Sequence, residues 1–128
     1  MTSWLSTAWI DEAVSAASEL VGSESLSGSI EVVVTGGAEG DVVVHIEFAQ
    51  GRLTGARLGA ASPADVTLTL SDADARNVLS GDLDLNVAFM QGRLKVDGSM
   101  ALVLDLLALA ATDDARACRN DLAARTDG

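Results

Sequence analysis

The sequence predicts an α+β domain in which a five-stranded, mostly antiparallel sheet carries its helices on one face. Three observations lead there. The apolar period is three to four near the start, two from Ile30 to Leu70, and mainly helical again afterwards. The order reads helix, four strands, two helices, strand, two helices. The strand segments alternate apolar with polar residues, as in a sheet with one buried and one wet face.

The first helix runs from about Ser3 to Val21, with Leu5, Trp9, Ala13, Ala16 and Leu20 at helical spacing. Gly22 to Gly28 is a polar loop. Ile30, Val32 and Val34 alternate with Glu31, Val33 and Thr35 in a first strand, and Gly36 to Gly40 is a turn. Val42, Val44, Ile46 and Phe48 alternate with Val43, His45 and Glu47 in a second. Gln50-Gly51 suits a two-residue hairpin loop leading into a third strand, Arg52 to about Leu58. Ala60-Ala61-Ser62-Pro63 is a loop, and Asp65 to Leu70 is the most regular strand.

Ser71-Asp72-Ala73-Asp74 has the makings of a helix start, with a Ser cap and an acid three residues on. That helix ends near Ser80-Gly81. A short helix then runs to Gln91, where Gly92 provides a left-handed stop. Arg93 to Asp97 reads as the fifth strand. The next helix, from Met100 to Ala111, is apolar except for Asp105. It carries more apolar surface than one contact stripe needs. A polar helix from about Asp113 to Arg125 ends the chain.

The 128 residues suffice for a single domain, taken as 1–128, with one core. The chain is 48% hydrophobic but only 3% aromatic, so aliphatic side chains fill that core. The formal net charge is −11, and no Lys or Arg precedes Arg52. Such a chain repels phosphate backbones, which argues against nucleic-acid binding. One cysteine, Cys118, allows no internal disulfide and fits a reducing compartment. The Met1-Thr2-Ser3-Trp4-Leu5 start lacks the basic residues of a signal peptide, and the apolar run after Met100 is too short to span a bilayer. The expected setting is cytoplasmic, with no integral membrane association.

Residues that would carry chemistry are sparse. His45 is the only histidine, expected at the surface beside Glu47. No carboxylate or Cys/His grouping has metal-ligand spacing, so no metal and no cofactor are expected. Cys118 lacks a His partner for nucleophilic work. An isomerase or hydrolase would have to rely on Asp84, Asp97, Asp105 or His45. The matching segments Phe48-Ala49-Gln50-Gly51-Arg52-Leu53 and Phe89-Met90-Gln91-Gly92-Arg93-Leu94 share a reversal at Gly but follow different elements. Asp105 most simply marks the solvent side of its helix. Met90 and Met100 fill core space or adapt to a ligand.

Asp65-Val66-Thr67-Leu68-Thr69-Leu70-Ser71-Asp72, then Gly81-Asp82-Leu83, then Ala88-Phe89-Met90-Gln91-Gly92-Arg93-Leu94-Lys95-Val96-Asp97-Gly98-Ser99-Met100, form one combined pattern. It resembles the sterol carrier protein 2 (SCP-2) family, which reads D-[LV]-T-[IL]-x-[LM]-S-D, G-x-L and A-F-x-x-G-[KR]-L-K-[IV]-x-G-[DN]-M. The resemblance implies that the sheet and helices enclose a hydrophobic tunnel. It also implies a non-catalytic carrier for a sterol, fatty acid or fatty acyl-CoA. Leu83, Phe89, Met90, Gln91, Leu94, Met100, Val103, Leu104 and Leu107 are its tunnel candidates, with Gln91 a polar contact for a head group. Asp84-Leu85 departs from the family's frequent Asn-Pro, and the acidity departs from its basic animal members. The alternative is an auxiliary or assembly module whose tunnel is closed or unused, acting through a partner enzyme or a homodimer.

Overall fold

The structure, a computed structural model, describes residues 2–38, 40–59 and 64–127. Its elements are β1 (Thr2–Ser3), α1 (Thr7–Ala17), β2 (Gly28–Gly37), β3 (Gly40–Ala49), β4 (Arg52–Leu58) and β5 (Val66–Ser71). They continue with α2 (Asp72–Ser80), α3 (Leu85–Met90), β6 (Lys95–Gly98), α4 (Met100–Ala110), α5 (Asp113–Ala124) and β7 (Thr126–Asp127). The main sheet has the order β4-β3-β2-β5-β6. The β2–β5 pair is parallel and the other three neighbouring pairs are antiparallel, so the five-stranded sheet is mixed but mostly antiparallel. The expected loop Ala60 to Pro63 lies outside the described residues, as does Glu39 in the first turn.

Alternation sets the core face. Ile30 and Val34 on β2 and Val66, Leu68 and Leu70 on β5 are all buried. All five helices send apolar residues to the two clusters on this face, including Trp9, Leu79, Ala88, Val103 and Leu122. The opposite face carries Glu31, Val33, Thr67 and Thr69, which are half-buried. The Gln50-Gly51 loop has the expected geometry, with φ of 52° and 86° at its two residues.

The helices begin where hydroxyls can accept free amides. Ser6, Ser71, Ser99 and Thr112 cap α1, α2, α4 and α5 through Trp9 N, Asp74 N, Leu102 N and Ala115 N. Asp84 caps α3, accepting from Asn86 N at 2.8 Å and Val87 N at 3.3 Å.

Three local expectations need correction. The first helix is shorter than Ser3 to Val21, because Thr2–Ser3 pairs in parallel with Thr126–Asp127 and Leu5 takes a φ of 56°. The fifth sheet strand starts at Lys95 rather than Arg93. Arg93 N and Leu94 N still donate to Ala88 O, at 2.9 and 3.2 Å, and are unavailable to the ladder. His45 lies on the polar face but is only 2% exposed. Register places it between Glu31 and Arg57 on an interior strand. Its Nε2 lies 3.2 Å from Glu47 Oε1, and its Nδ1 is buried without a partner among the described residues.

The N-terminal segment is held by side chains. Trp4 and Trp9 pack edge to face with ring centroids 4.9 Å apart. Trp4 Nε1 donates to Asp72 Oδ1 at 2.8 Å, and Trp9 Nε1 donates to Thr126 Oγ1 at 2.8 Å. Arg76 Nε donates to Asp72 Oδ2 at 2.8 Å while its guanidinium lies 5.2 Å from the Trp4 ring centroid. Burial alone would raise the Asp72 pKa, but the Trp4 and Arg76 hydrogen bonds and the Arg76 charge together bring it below its ordinary 3.8. The folded state thus favours ionised Asp72 more than the unfolded chain does. That stabilisation is complete above the unfolded pKa and is lost as pH falls through the folded one. Asp72→Ala should cost about 2 kcal/mol in urea unfolding at pH 7. The gap to the parent should stay level down to about pH 5 and narrow below about pH 4.

Candidate ligand-binding site

The segment from Ala88 to Met100 places α3, β6 and the start of α4 against the rest of the core. Gly92 ends α3 with a φ of 74°. Gly98 has a φ of 126°, and a Cβ there would meet Asp65 O at 2.5 Å and Val66 Cα at 2.8 Å. That close approach lets β6 pair with β5 and lets Ser99 N donate to Asp65 O at 3.0 Å. Ser99 then caps α4. Asn86 Nδ2 donates to Leu107 O at 3.4 Å, tying α3 to α4.

The nine candidate positions fall into two groups. Leu83, Leu94, Val103 and Leu107 are buried in the main cluster, beside Ile30, Val66 and Leu68, and Phe89 packs against it half-buried. Met90, Gln91, Met100 and Leu104 lie at the surface, with Met90 82% exposed and Leu104 55% exposed. Val87, absent from the candidates, joins the outward apolar residues at 40% exposure. Its position three residues before Met90 is the signal that could have found it. Thus α4 buries Leu102, Val103, Leu107 and Leu109 while Met100 and Leu104 face outward. Asp105 is half-buried and accepts from Ser25 Oγ at 2.7 Å in an exposed contact that joins α4 to the loop after α1.

Clefts indent the surface of the described residues. One, of about 350 Å3, is lined by Val78, Gly81, Leu83, Asp84, Arg116, Arg119 and Asn120. Another, of about 400 Å3, lies beside Trp4, Asp72 and Arg76. In the first, Arg116 Nη2 is 3.8 Å from Asp84 Oδ2, and Arg119 Nη2 donates to Ala110 O at 2.9 Å. The 116, 119, 120 spacing on a helix signals their shared face, which the tunnel assignment did not use.

The remaining candidates are dispersed. Asp84 caps α3, Asp97 sits opposite Thr67 on β6, Asp105 holds Ser25, and His45 is on β3. Among the described residues, no group of three or more His, Cys, Asp and Glu is arranged to hold a metal ion. Burial raises the Cys118 pKa, Arg119 opposes it and Asp121 adds to it, so the thiolate is disfavoured. No helix of the described residues is long and apolar enough to cross a membrane.

The fold agrees with that of known proteins. The model of the SCP-2 sterol transfer family matches residues 12–111, and the chain belongs to that family. Sterol carrier protein 2 of Gallus gallus is 31% identical over 71 residues, which cover 56% of this chain and 12% of that protein. The chain therefore spans about an eighth of the length of the curated relatives it matches. A crystal structure of sterol carrier protein 2 has a TM-score of 0.70 at 22% identity, covering 89% of this chain and 95% of the other. A conserved hypothetical protein from Thermus thermophilus has a TM-score of 0.71 at 20% identity, covering 94% and 90%. Both structures share the α+β fold.

The two glycines of the segment should behave differently. Gly98→Ala should cost about 3 kcal/mol, since strain at positive φ adds to a backbone clash. Gly92→Ala should cost about 1 kcal/mol, because a Cβ there meets nothing within 4 Å. Urea unfolding at neutral pH measures both; equal costs would contradict the close approach at Gly98.

Proposed function

We propose that this chain is a non-catalytic binding protein for a hydrophobic ligand, a sterol, fatty acid or fatty acyl-CoA, in the cytoplasm. The ligand would lie in a tunnel between the core face of the sheet and α3–α4, lined by Leu83, Phe89, Leu94, Val103 and Leu107. The observation that carries this reading is the apolar excess of α4, which is aliphatic both where it meets the core and where Met100 and Leu104 face outward. Family membership and the names of the relatives support the same ligand class. Met90, Met100 and Leu104 would form an adaptable rim, and Gln91 would offer a polar contact there.

The driving force would be burial of ligand methylenes, each contributing about 0.8 kcal/mol. Lost ligand freedom offsets part of that gain. Selectivity would follow chain length and shape. No metal or redox cofactor enters this reading.

A second reading rests on the same exposed residues. Val87, Met90, Met100 and Leu104 would be covered by a partner enzyme or a second copy of the chain, with the interior unused. Native mass spectrometry and Nile red fluorescence separate the two. The binding reading expects retained lipid or saturable uptake of the dye at micromolar protein. Lack of both, with a dimer by light scattering whatever lipid is added, would favour assembly instead. Met100→Asp with Leu104→Asp should weaken dye binding about tenfold and change stability by less than about 1 kcal/mol, as both sites are exposed.

A further inference from the structure

The cleft beside α5 combines features that suit an anion with an apolar tail. Arg116, Arg119 and Asn120 present two guanidinium forks and an amide from one helix face. Planar forks of this kind match carboxylate and phosphate oxygens. Within a chain of formal net charge −11, this wall holds two cations and one carboxylate.

That carboxylate neutralises the pair poorly. Asp84 Oδ1 is occupied by the amides of Asn86 and Val87, and its Oδ2 stands 3.8 Å from Arg116, the outer limit of an ion pair. Arg119 is half-buried, and its hydrogen bond to Ala110 O involves a neutral acceptor. Burial lowers its pKa, the Arg116 charge lowers it further, and Asp84 and Cys118 only partly oppose them. The charged form of Arg119 thus carries a cost that a bound anion would relieve.

The cleft also has an apolar side. Leu83 belongs to the main core cluster, and Val78 packs against that cluster. Its volume of about 350 Å3 is at the small end for ligand pockets, enough for a head group and the adjoining part of a chain.

We propose that Arg116, Arg119 and Asn120 bind the carboxylate or phosphate end of an amphiphile whose tail passes over Val78 and Leu83. This rests on the hydrophobic-ligand reading above and adds to it a site for the charged end. Arg93, within the family-like segment, is instead 3.8 Å from Asp74 and does not line this cleft.

The test displaces Nile red, a neutral probe, from the full chain with hexadecanoate or hexadecan-1-ol at pH 8. The parent should prefer the acid about tenfold. Arg116→Gln with Arg119→Gln should erase that preference and leave the alcohol unchanged. Arg52→Gln with Arg57→Gln, an equal change in net charge elsewhere, should keep it. If the double cleft variant loses its circular dichroism spectrum, Arg116→Gln alone, at a side chain 55% exposed, should still reduce the preference at least threefold. Equal displacement by acid and alcohol in the parent, or an unchanged preference in the cleft variants, would overturn the head-group site while leaving hydrophobic binding intact. No dye binding by the parent would instead remove the underlying reading. In nuclear magnetic resonance titrations, inorganic phosphate alone should move the Arg116 and Arg119 guanidinium signals only at millimolar concentration. Micromolar binding of phosphate would assign the cleft to a free anion and overturn the amphiphile.

Discussion

The parallel pairing of β2 with β5 is the constraint on which the rest of the structure depends. It joins the β4-β3-β2 ladder to the β5-β6 ladder and sets Ile30 opposite Val66 and Val32 opposite Leu68. Asp65 fixes the start of that pairing. Its carboxylate accepts from Ser29 N at 2.8 Å, its own amide donates to Ser29 O at 3.0 Å, and its carbonyl accepts from Ser99 N at 3.0 Å. One residue thus aligns the beginnings of β2 and β5 with the entrance to α4. A slip of one residue would turn every buried side chain of β5 to the other face. The core and the placement of α4 would be lost together.

From that junction the apolar interior is organised from the sheet outward. Leu102, Val103, Leu107 and Leu109 on α4 join the cluster formed by β2 and β5. α3 lies next to α4, held by the Asn86 to Leu107 hydrogen bond. On the other flank Trp9, Ile10, Val44, Leu79 and Leu122 make a separate cluster. The segment from Ala88 to Met100 therefore packs with the first cluster, whereas Asp72, the last residue of the Asp65 to Asp72 part of the pattern, joins the tryptophan contacts. This division keeps the Trp4–Asp72–Arg76 group apart from the candidate ligand site, although α2 adjoins both.

The sequence made much of the framework legible. Alternation at Val66, Leu68 and Leu70 marked a strand, and Ser71 with Asp74 marked the next helix start, because both signals act over a few residues. The β1–β7 pair left no such trace: two residues at each end have no period, and their partners are more than a hundred positions away. The phase of α4 was equally hidden. A helix that is aliphatic on all sides does not reveal which leucines face inward, so Leu104 and Leu107 look alike in sequence and separate only in the packed molecule. Its one polar residue, Asp105, takes part in an exposed hydrogen bond with Ser25, a partner that spacing along the helix does not reveal. His45 shows the corresponding limit for strands. Alternation assigns a face, but not how far neighbouring strands cover it.

The short β1–β7 pair also defines how the chain could be rewired. Thr2 and Thr126 are partners in adjacent strands, which ordinarily lie about 4.8 Å apart. A piece cut to residues 2–127 could be closed into a ring by a linker joining residue 127 to residue 2. Joining positions so far apart in sequence removes roughly 5 kcal/mol of freedom from the unfolded chain. The same closure would allow the ring to be opened at an exposed turn elsewhere, so that new ends emerge far from Trp4 and Trp9. The order of elements along the chain is thus separable from their arrangement in space.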